Sequence, residues 1–140
     1  MDTDVWILGV YQSDFARNLT KEGLDFADLT LLDARAPERF RGDVEPVDRV
    51  AGHIPGAENL PSGDVLNGDG TFIAEDALRE LLAEHSVDNA TRLGAYCGSG
   101  VTASITVAAL ATVGYQAALF PGSWSEWSSD PARAIARGDN

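Results

Sequence analysis

Short apolar runs alternate with amphipathic stretches along the chain. Apolar runs lie at residues 5–10, 29–33, 93–97 and 116–120, with a shorter one at 57–60. Near-continuous apolar segments of this length, bounded by turn residues, are typical of strands that are buried on both faces. The pattern therefore predicts about five strands.

Helical patterns fall between these runs. Over residues 75–86 a stripe at helical spacing is formed by Ala77, Leu78, Leu81, Leu82 and His85. Residues 101–113 are apolar almost throughout and stop before Gly114, which suits the position just after a helix end. Strands that alternate with helices predict a single α/β domain with a mostly parallel central sheet and helices on both faces.

Length and charge narrow the function classes. The chain has 140 residues, the usual size of one domain, and a formal net charge of -12. A surface this acidic repels phosphate backbones and anionic lipids, so we expect neither a nucleic-acid nor a membrane partner. The single cysteine, Cys97, cannot form an internal disulfide, which favours a cytoplasmic location. Two histidines without ligands at metal spacing predict neither a metal site nor a cofactor.

Cys97 stands at the end of a predicted strand, where parallel sheets bind their ligands. Gly98-Ser99-Gly100 follows it, and a predicted helix opens at about Val101. Backbone N–H groups of such a loop converge on an anion, and the helix dipole adds positive potential. A thiol in this setting should ionise readily and act as a nucleophile.

Three other readings of Cys97 remain open. A lone cysteine is commonly a small buried hydrophobe, although such a residue does not need the glycines that follow. A phosphate-binding loop would end in Gly-Lys-Ser or Gly-Lys-Thr, which this loop lacks. A cysteine phosphatase would carry arginine at the sixth residue after the cysteine, where this chain has Ala103.

The loop Cys97-Gly98-Ser99-Gly100-Val101-Thr102 resembles the six-residue active loop of mercaptopyruvate sulfurtransferases, in the rhodanese superfamily. Further segments resemble signatures of that family in the same order, at residues 32–35, 38–42, 52–57 and 121–127. The resemblance is to the C-terminal, catalytic half of the two-domain bacterial enzymes. It implies a rhodanese-like catalytic domain over residues 29–140. Residues 1–28 form an atypical leader, either a fused segment that weakly resembles the start of thiolase-type acyltransferases or a divergent first strand and helix.

The resemblance implies a reaction and its residues. A sulfane sulfur would pass from 3-mercaptopyruvate or thiosulfate to a thiol or cyanide acceptor through a persulfide on Cys97, with Ser99 moving a proton. By the same resemblance Arg39 and Arg49 would hold the substrate carboxylate. The remaining loop residues would line the substrate site, namely Gly98, Gly100, Val101 and Thr102. Arg35 is expected to pair with Asp33 at a strand end.

Two further expectations concern the donor and the partner. The loop carries no charge, which favours mercaptopyruvate over the sulfonate dianion of thiosulfate. In the two-domain relatives the cleft lies between two domains. This leaves three alternatives: a complete single-domain enzyme, a half-enzyme that pairs as a homodimer or with a partner rhodanese domain, and a low-turnover persulfide carrier.

Overall fold

A four-stranded parallel sheet forms the centre of the computed structural model, which describes residues 29–87 and 92–139. The strands are β1 (Leu29–Asp33), β2 (Glu58–Asn59), β3 (Arg92–Tyr96) and β4 (Ala117–Leu119), and their order in the sheet is β2-β1-β3-β4. All four were predicted, β1 with its observed bounds and the others within one residue at each end. The predicted strand at residues 5–10 lies outside the described residues.

The described residues form four α-helices and one 3₁₀ helix, and the last α-helix follows β4. They are α1 (Pro37–Arg41), the 3₁₀ helix (Ser62–Val65), α2 (Glu75–Glu84), α3 (Ala103–Thr112) and α4 (Ser123–Ser129). In the described part of the chain, no helix is long and apolar enough to cross a membrane.

Two predicted helices are shorter than expected. The helix predicted over 75–86 ends at Glu84, because Ser86 adopts a φ of 56°, which is not helical. The helix predicted over 101–113 begins only at Ala103, because the residues before it complete the loop after Cys97. Gly114 follows the end of α3 with a φ of 88°, as its position after the apolar stretch predicts.

Side-chain alternation along the strands creates two apolar faces. On one face Leu32 and Leu93 pack with Leu78 and Leu82 of α2, and with α3. The opposite face buries a second cluster, which consists of Leu31, Phe40, Ile54, Ala57, Tyr96, Phe120, Trp124 and Trp127. Helices α1 and α4 supply three of these side chains, so the predicted α/β fold with helices on both faces is confirmed. Burial of each leucine contributes roughly 1.5–3 kcal/mol.

A buried ion pair closes the carboxyl end of β1. The Nε and Nη2 atoms of Arg35 donate to the carboxylate of Asp33 at 2.7–3.1 Å, and Nη2 also donates to the carbonyl of Gly52 at 2.7 Å. The guanidinium lies 4.8 Å from the ring centroid of Trp124. Burial alone would lower the pKa of Arg35, but the hydrogen bond and charge of Asp33 outweigh it and raise that pKa. The predicted pairing of Arg35 with Asp33 is confirmed.

Replacement of Arg35 by alanine should strongly destabilise the fold. It leaves the Asp33 carboxylate buried without its counter-ion, which typically costs about 3–5 kcal/mol. The free energy of unfolding in urea measures the loss. Arg41→Ala is the matched control, because Arg41 pairs with Asp43 at the surface and should barely move the unfolding midpoint. Equal shifts in the two variants would contradict the structural importance of the buried pair.

Candidate active site

Cys97 lies directly after β3, the strand between β1 and β4 in the sheet. Its side chain is buried, and its Sγ accepts a hydrogen bond from the backbone N–H of Gly100 at 3.0 Å. Gly100 has a φ of 87°, and a Cβ there would collide with the carbonyl oxygen of Pro121. Only glycine fits both the left-handed turn and this close approach, so the loop curls over the sulfur as its composition predicts.

The loop stabilises the charged form of the Cys97 thiol. Burial alone would raise its pKa, because the thiolate loses contact with water. Hydrogen bonds from the Thr102 side chain and from the backbone N–H groups of Ala103, Ser99 and Gly100 outweigh burial, and the pKa is lowered. The predicted group of converging donors is therefore present, and the anion that it stabilises within this chain is the Cys97 thiolate.

The first turn of α4 holds the backbone that carries the sulfur. The N–H of Trp124 donates to the carbonyl of Cys97 at 2.9 Å, and the N–H of Ser125 donates to the carbonyl of Gly98 at 3.0 Å. The hydroxyl of Ser123 accepts from the N–H of Cys97 at 3.0 Å and lies 4.0 Å from its Sγ. Three contacts thus fix the start of the loop.

Ser123 was not identified from the sequence as a site residue. It is fully buried, and it has a φ of 52°, a left-handed conformation that is uncommon for a residue other than glycine. Backbone strain of this kind persists only where neighbouring contacts hold it. The available signal was its place in the turn Pro121-Gly122-Ser123, which indicates a turn and not a contact with the cysteine.

Arg39 lies against the loop that follows Cys97. A Cβ built on Gly98 would be 3.3 Å from Nη1 and 3.4 Å from Nη2 of Arg39, so the guanidinium packs onto the bare Cα of Gly98. Arg39 comes from α1, a helix of five residues that begins with Pro37 and is followed by Gly42 at a φ of 81°. The absence of a side chain at position 98 therefore leaves room for the guanidinium of Arg39.

Glu45 is a further residue that sequence reasoning missed. Its side chain is only 5% exposed, and its Oε1 accepts from Nη2 of Arg39 at 2.8 Å. Its carboxylate also accepts from Nη1 of Arg35 at 3.4 Å and from the backbone N–H groups of Val47 and Asp48. Burial alone would raise the pKa of Glu45, but the hydrogen bond from Arg39, the N–H groups of Asp48 and Val47, and the charge of Arg39 outweigh it, so the pKa is lowered. No periodic pattern marks this segment, so nothing in the sequence indicates the burial.

The other predicted site residues are three residues of the loop and Arg49. Ser99, Val101 and Thr102 are exposed on the loop, and Val101 is 71% exposed although it is apolar. Arg49 is also exposed, and it forms no ion pair with any residue in the two described stretches. Arg39 is thus the predicted arginine that the structure places on the loop of Cys97. A substrate role for Arg49 stays a prediction.

A family model described as a rhodanese-like domain matches residues 12–130. The chain belongs to the rhodanese-like domain family. It is 63% identical over 120 residues to a putative thiosulfate sulfurtransferase, SseB, of Mycobacterium tuberculosis. It is 51% identical over 116 residues to a probable 3-mercaptopyruvate sulfurtransferase of Pseudomonas aeruginosa. The human 3-mercaptopyruvate sulfurtransferase is 39% identical over 110 residues.

These relatives are longer than this rhodanese-like chain. The matches cover 86%, 79% and 76% of this chain but only 42%, 40% and 37% of the respective relatives. Among solved structures, the Tum1 protein of Saccharomyces cerevisiae superposes with a TM-score of 0.75 at 30% identity, over 99% of this chain and 48% of that one. The chain thus spans about two fifths of the length of its curated relatives.

Removal of the Thr102 hydroxyl should raise the pKa of Cys97. Thr102→Val takes one hydrogen bond from the thiolate, so the charged form is less stable and the thiol titrates at a higher pH. The rate of alkylation by iodoacetamide against pH reports the midpoint, which in the unchanged chain should lie below the ordinary value of about 8.5. Thr102→Ser, which keeps a hydroxyl, is the control. An identical midpoint for the valine variant and the unchanged chain would contradict this account.

Proposed function

We propose that this rhodanese-like chain is a sulfurtransferase whose nucleophile is Cys97. The single observation that carries the proposal is the stabilised sulfur at the end of β3, which accepts the Gly100 N–H while an arginine lies on the adjoining glycine. The names of the relatives support the same reaction class. The predicted cytoplasmic location stays a prediction.

The reaction proceeds in two transfers at one sulfur. The Cys97 thiolate attacks the sulfur of 3-mercaptopyruvate, the carbon–sulfur bond breaks, and its electron pair leaves as the enolate of pyruvate. The enolate takes a proton and becomes pyruvate, and Cys97 carries a persulfide. A thiol acceptor then attacks the outer sulfur and releases the Cys97 thiolate. Covalent catalysis of this kind divides one difficult step into two easier ones.

The loop residues have separate tasks in this scheme. The backbone N–H groups that stabilise the thiolate also stabilise the persulfide anion, because both place negative charge inside the same curl. The exposed hydroxyl of Ser99 passes the proton to the departing enolate. Gly98, Gly100, Val101 and Thr102 form the wall over which the donor approaches.

Arg39 is the residue that we assign to the donor carboxylate. Its guanidinium lies against Gly98, next to the residue that carries the sulfur, and 20% of its side chain is exposed to an incoming ligand. A charged hydrogen bond between guanidinium and carboxylate is short and strong. The uncharged loop leaves a sulfonate without a cation close to the attacked sulfur, which favours 3-mercaptopyruvate over thiosulfate as donor.

Cys97→Ser should abolish sulfur transfer and leave the fold intact. The unchanged protein, treated with donor and no acceptor, should gain about 32 Da, the mass of one sulfur atom, on Cys97. Intact-mass spectrometry detects the adduct, and circular dichroism checks the fold of the variant. Transfer that persists in the serine variant would overturn the assignment of the nucleophile. An adduct that forms but does not turn over would identify a persulfide carrier.

Donor preference tests the substrate class. The value of kcat/KM should be higher for 3-mercaptopyruvate than for thiosulfate. Arg39→Ala should lower kcat/KM for 3-mercaptopyruvate by a factor that corresponds to about 1.5–3 kcal/mol of lost transition-state stabilisation. The loss should fall mainly on KM if the contact is equal in ground and transition states. Arg41→Ala, a neighbouring arginine on the same helix that pairs with Asp43, is the control and should change little. A preference for thiosulfate in the unchanged protein would contradict the donor assignment.

A further inference from the structure

Arg39, the residue assigned to the carboxylate of the sulfur donor, is already paired with acidic residues of its own chain. Nη2 of Arg39 contacts Glu45 Oε1 at 2.8 Å and lies 3.9 Å from an oxygen of Asp48. Its Nε is buried, and no hydrogen-bond partner for it exists among the described residues. Nη2 of the guanidinium is therefore committed to carboxylates, while Nη1, which lies against Gly98, makes no hydrogen bond with the described residues.

Glu45 cannot turn away when a donor arrives. Its side chain is 5% exposed, and its carboxylate is held by the backbone N–H groups of Val47 and Asp48 and by the buried guanidinium of Arg35. A flexible surface carboxylate would leave the arginine at little cost. A carboxylate with three further contacts keeps its position and its charge beside the bound anion.

The charges around Arg39 do not sum to a cation. Asp33 and Arg35 balance each other, Glu45 balances Arg39, and Asp48 adds a negative charge. An anion that binds Arg39 therefore meets the repulsion of Glu45 at short range. That repulsion is proportional to the charge of the anion, so a dianion is penalised about twice as much as a monoanion.

We propose that Glu45 is a specificity-determining residue that selects monoanionic sulfur donors over dianionic ones. The proposal rests on the sulfurtransferase function proposed above and adds a physical reason for its substrate class. At neutral pH a mercapto-carboxylate with a protonated thiol carries one negative charge, whereas thiosulfate carries two. Glu45 acts through Arg39, and it lowers the affinity for any donor that brings a second charge.

Glu45→Gln is the decisive variant, because glutamine keeps the shape and the acceptor oxygen but removes the charge. We expect the ratio of kcat/KM for thiosulfate to that for 3-mercaptopyruvate to rise about three- to tenfold. Glu45→Asp, which keeps the charge, should hold the ratio of the unchanged protein. Asp43→Asn is the matched control, since it removes the same charge from an exposed position on the same segment, where Asp43 pairs with Arg41.

The outcomes separate the two proposals. If the unchanged protein shows no Cys97-dependent transfer from either donor, the sulfurtransferase function is overturned. Transfer with an unaltered donor ratio in folded Glu45→Gln, or the same ratio change in Asp43→Asn, would overturn only the role of Glu45. If Glu45→Gln does not fold, the unchanged protein is tested by protection of Cys97 from alkylation. Pyruvate should then protect at a lower concentration than sulfate, and the reverse order would overturn the proposal.

Discussion

The guanidinium of Arg35 is the group around which the site is assembled. It is buried, and it joins Asp33 at the end of β1, the carbonyl of Gly52, and the ring of Trp124 in α4. Removal of a charge from water is costly, and it is tolerated only where partners surround the charge closely. The fold therefore has to bring the strand end, the segment after α1 and α4 to one point. Glu45, which also contacts Arg35, is placed by the same requirement.

Backbone groups, more than side chains, determine the environment of the sulfur. Most of the hydrogen bonds that stabilise the thiolate come from N–H groups of the loop and of the helix that follows, and the hydroxyls of Thr102 and Ser123 add to them. Such groups carry fixed dipoles and need no reorganisation when charge develops. They also leave the loop uncharged, so in the proposed function selection among anions falls to Arg39 and its neighbours. The proposal thus assigns the activation of Cys97 and the recognition of the donor to different parts of the structure.

Local patterns were sufficient for the framework and for the surroundings of Cys97. The bounds of β1, the end of α3 before Gly114 and the converging donors around Cys97 follow from apolar runs and glycine positions, which are local properties of the chain. The pair of Asp33 and Arg35 also follows, because the two residues are neighbours in sequence.

Features without a local sequence pattern could not be predicted in this way. Helix α1 has five residues, too few to display a helical period. Glu45 lies in a segment without regular structure, and its contacts with Arg35 and Arg39, ten and six positions earlier, follow no strand or helix period. The left-handed conformation of Ser123 accompanies a contact with Cys97, 26 positions earlier, which no local pattern indicates.

The hydrogen bonds between α4 and the backbone of Cys97 and Gly98 limit how far the sulfur can move. Their carbonyls are bound by the N–H groups of Trp124 and Ser125, so the backbone under the sulfur is held in place. Relay proteins that carry a group on a long flexible arm move it between separate sites. In the proposed reaction the sulfur therefore stays where it is formed, and donor and acceptor reach the same point in turn. The two reactants then exclude each other, and each half of the proposed cycle begins only after the previous reactant has left.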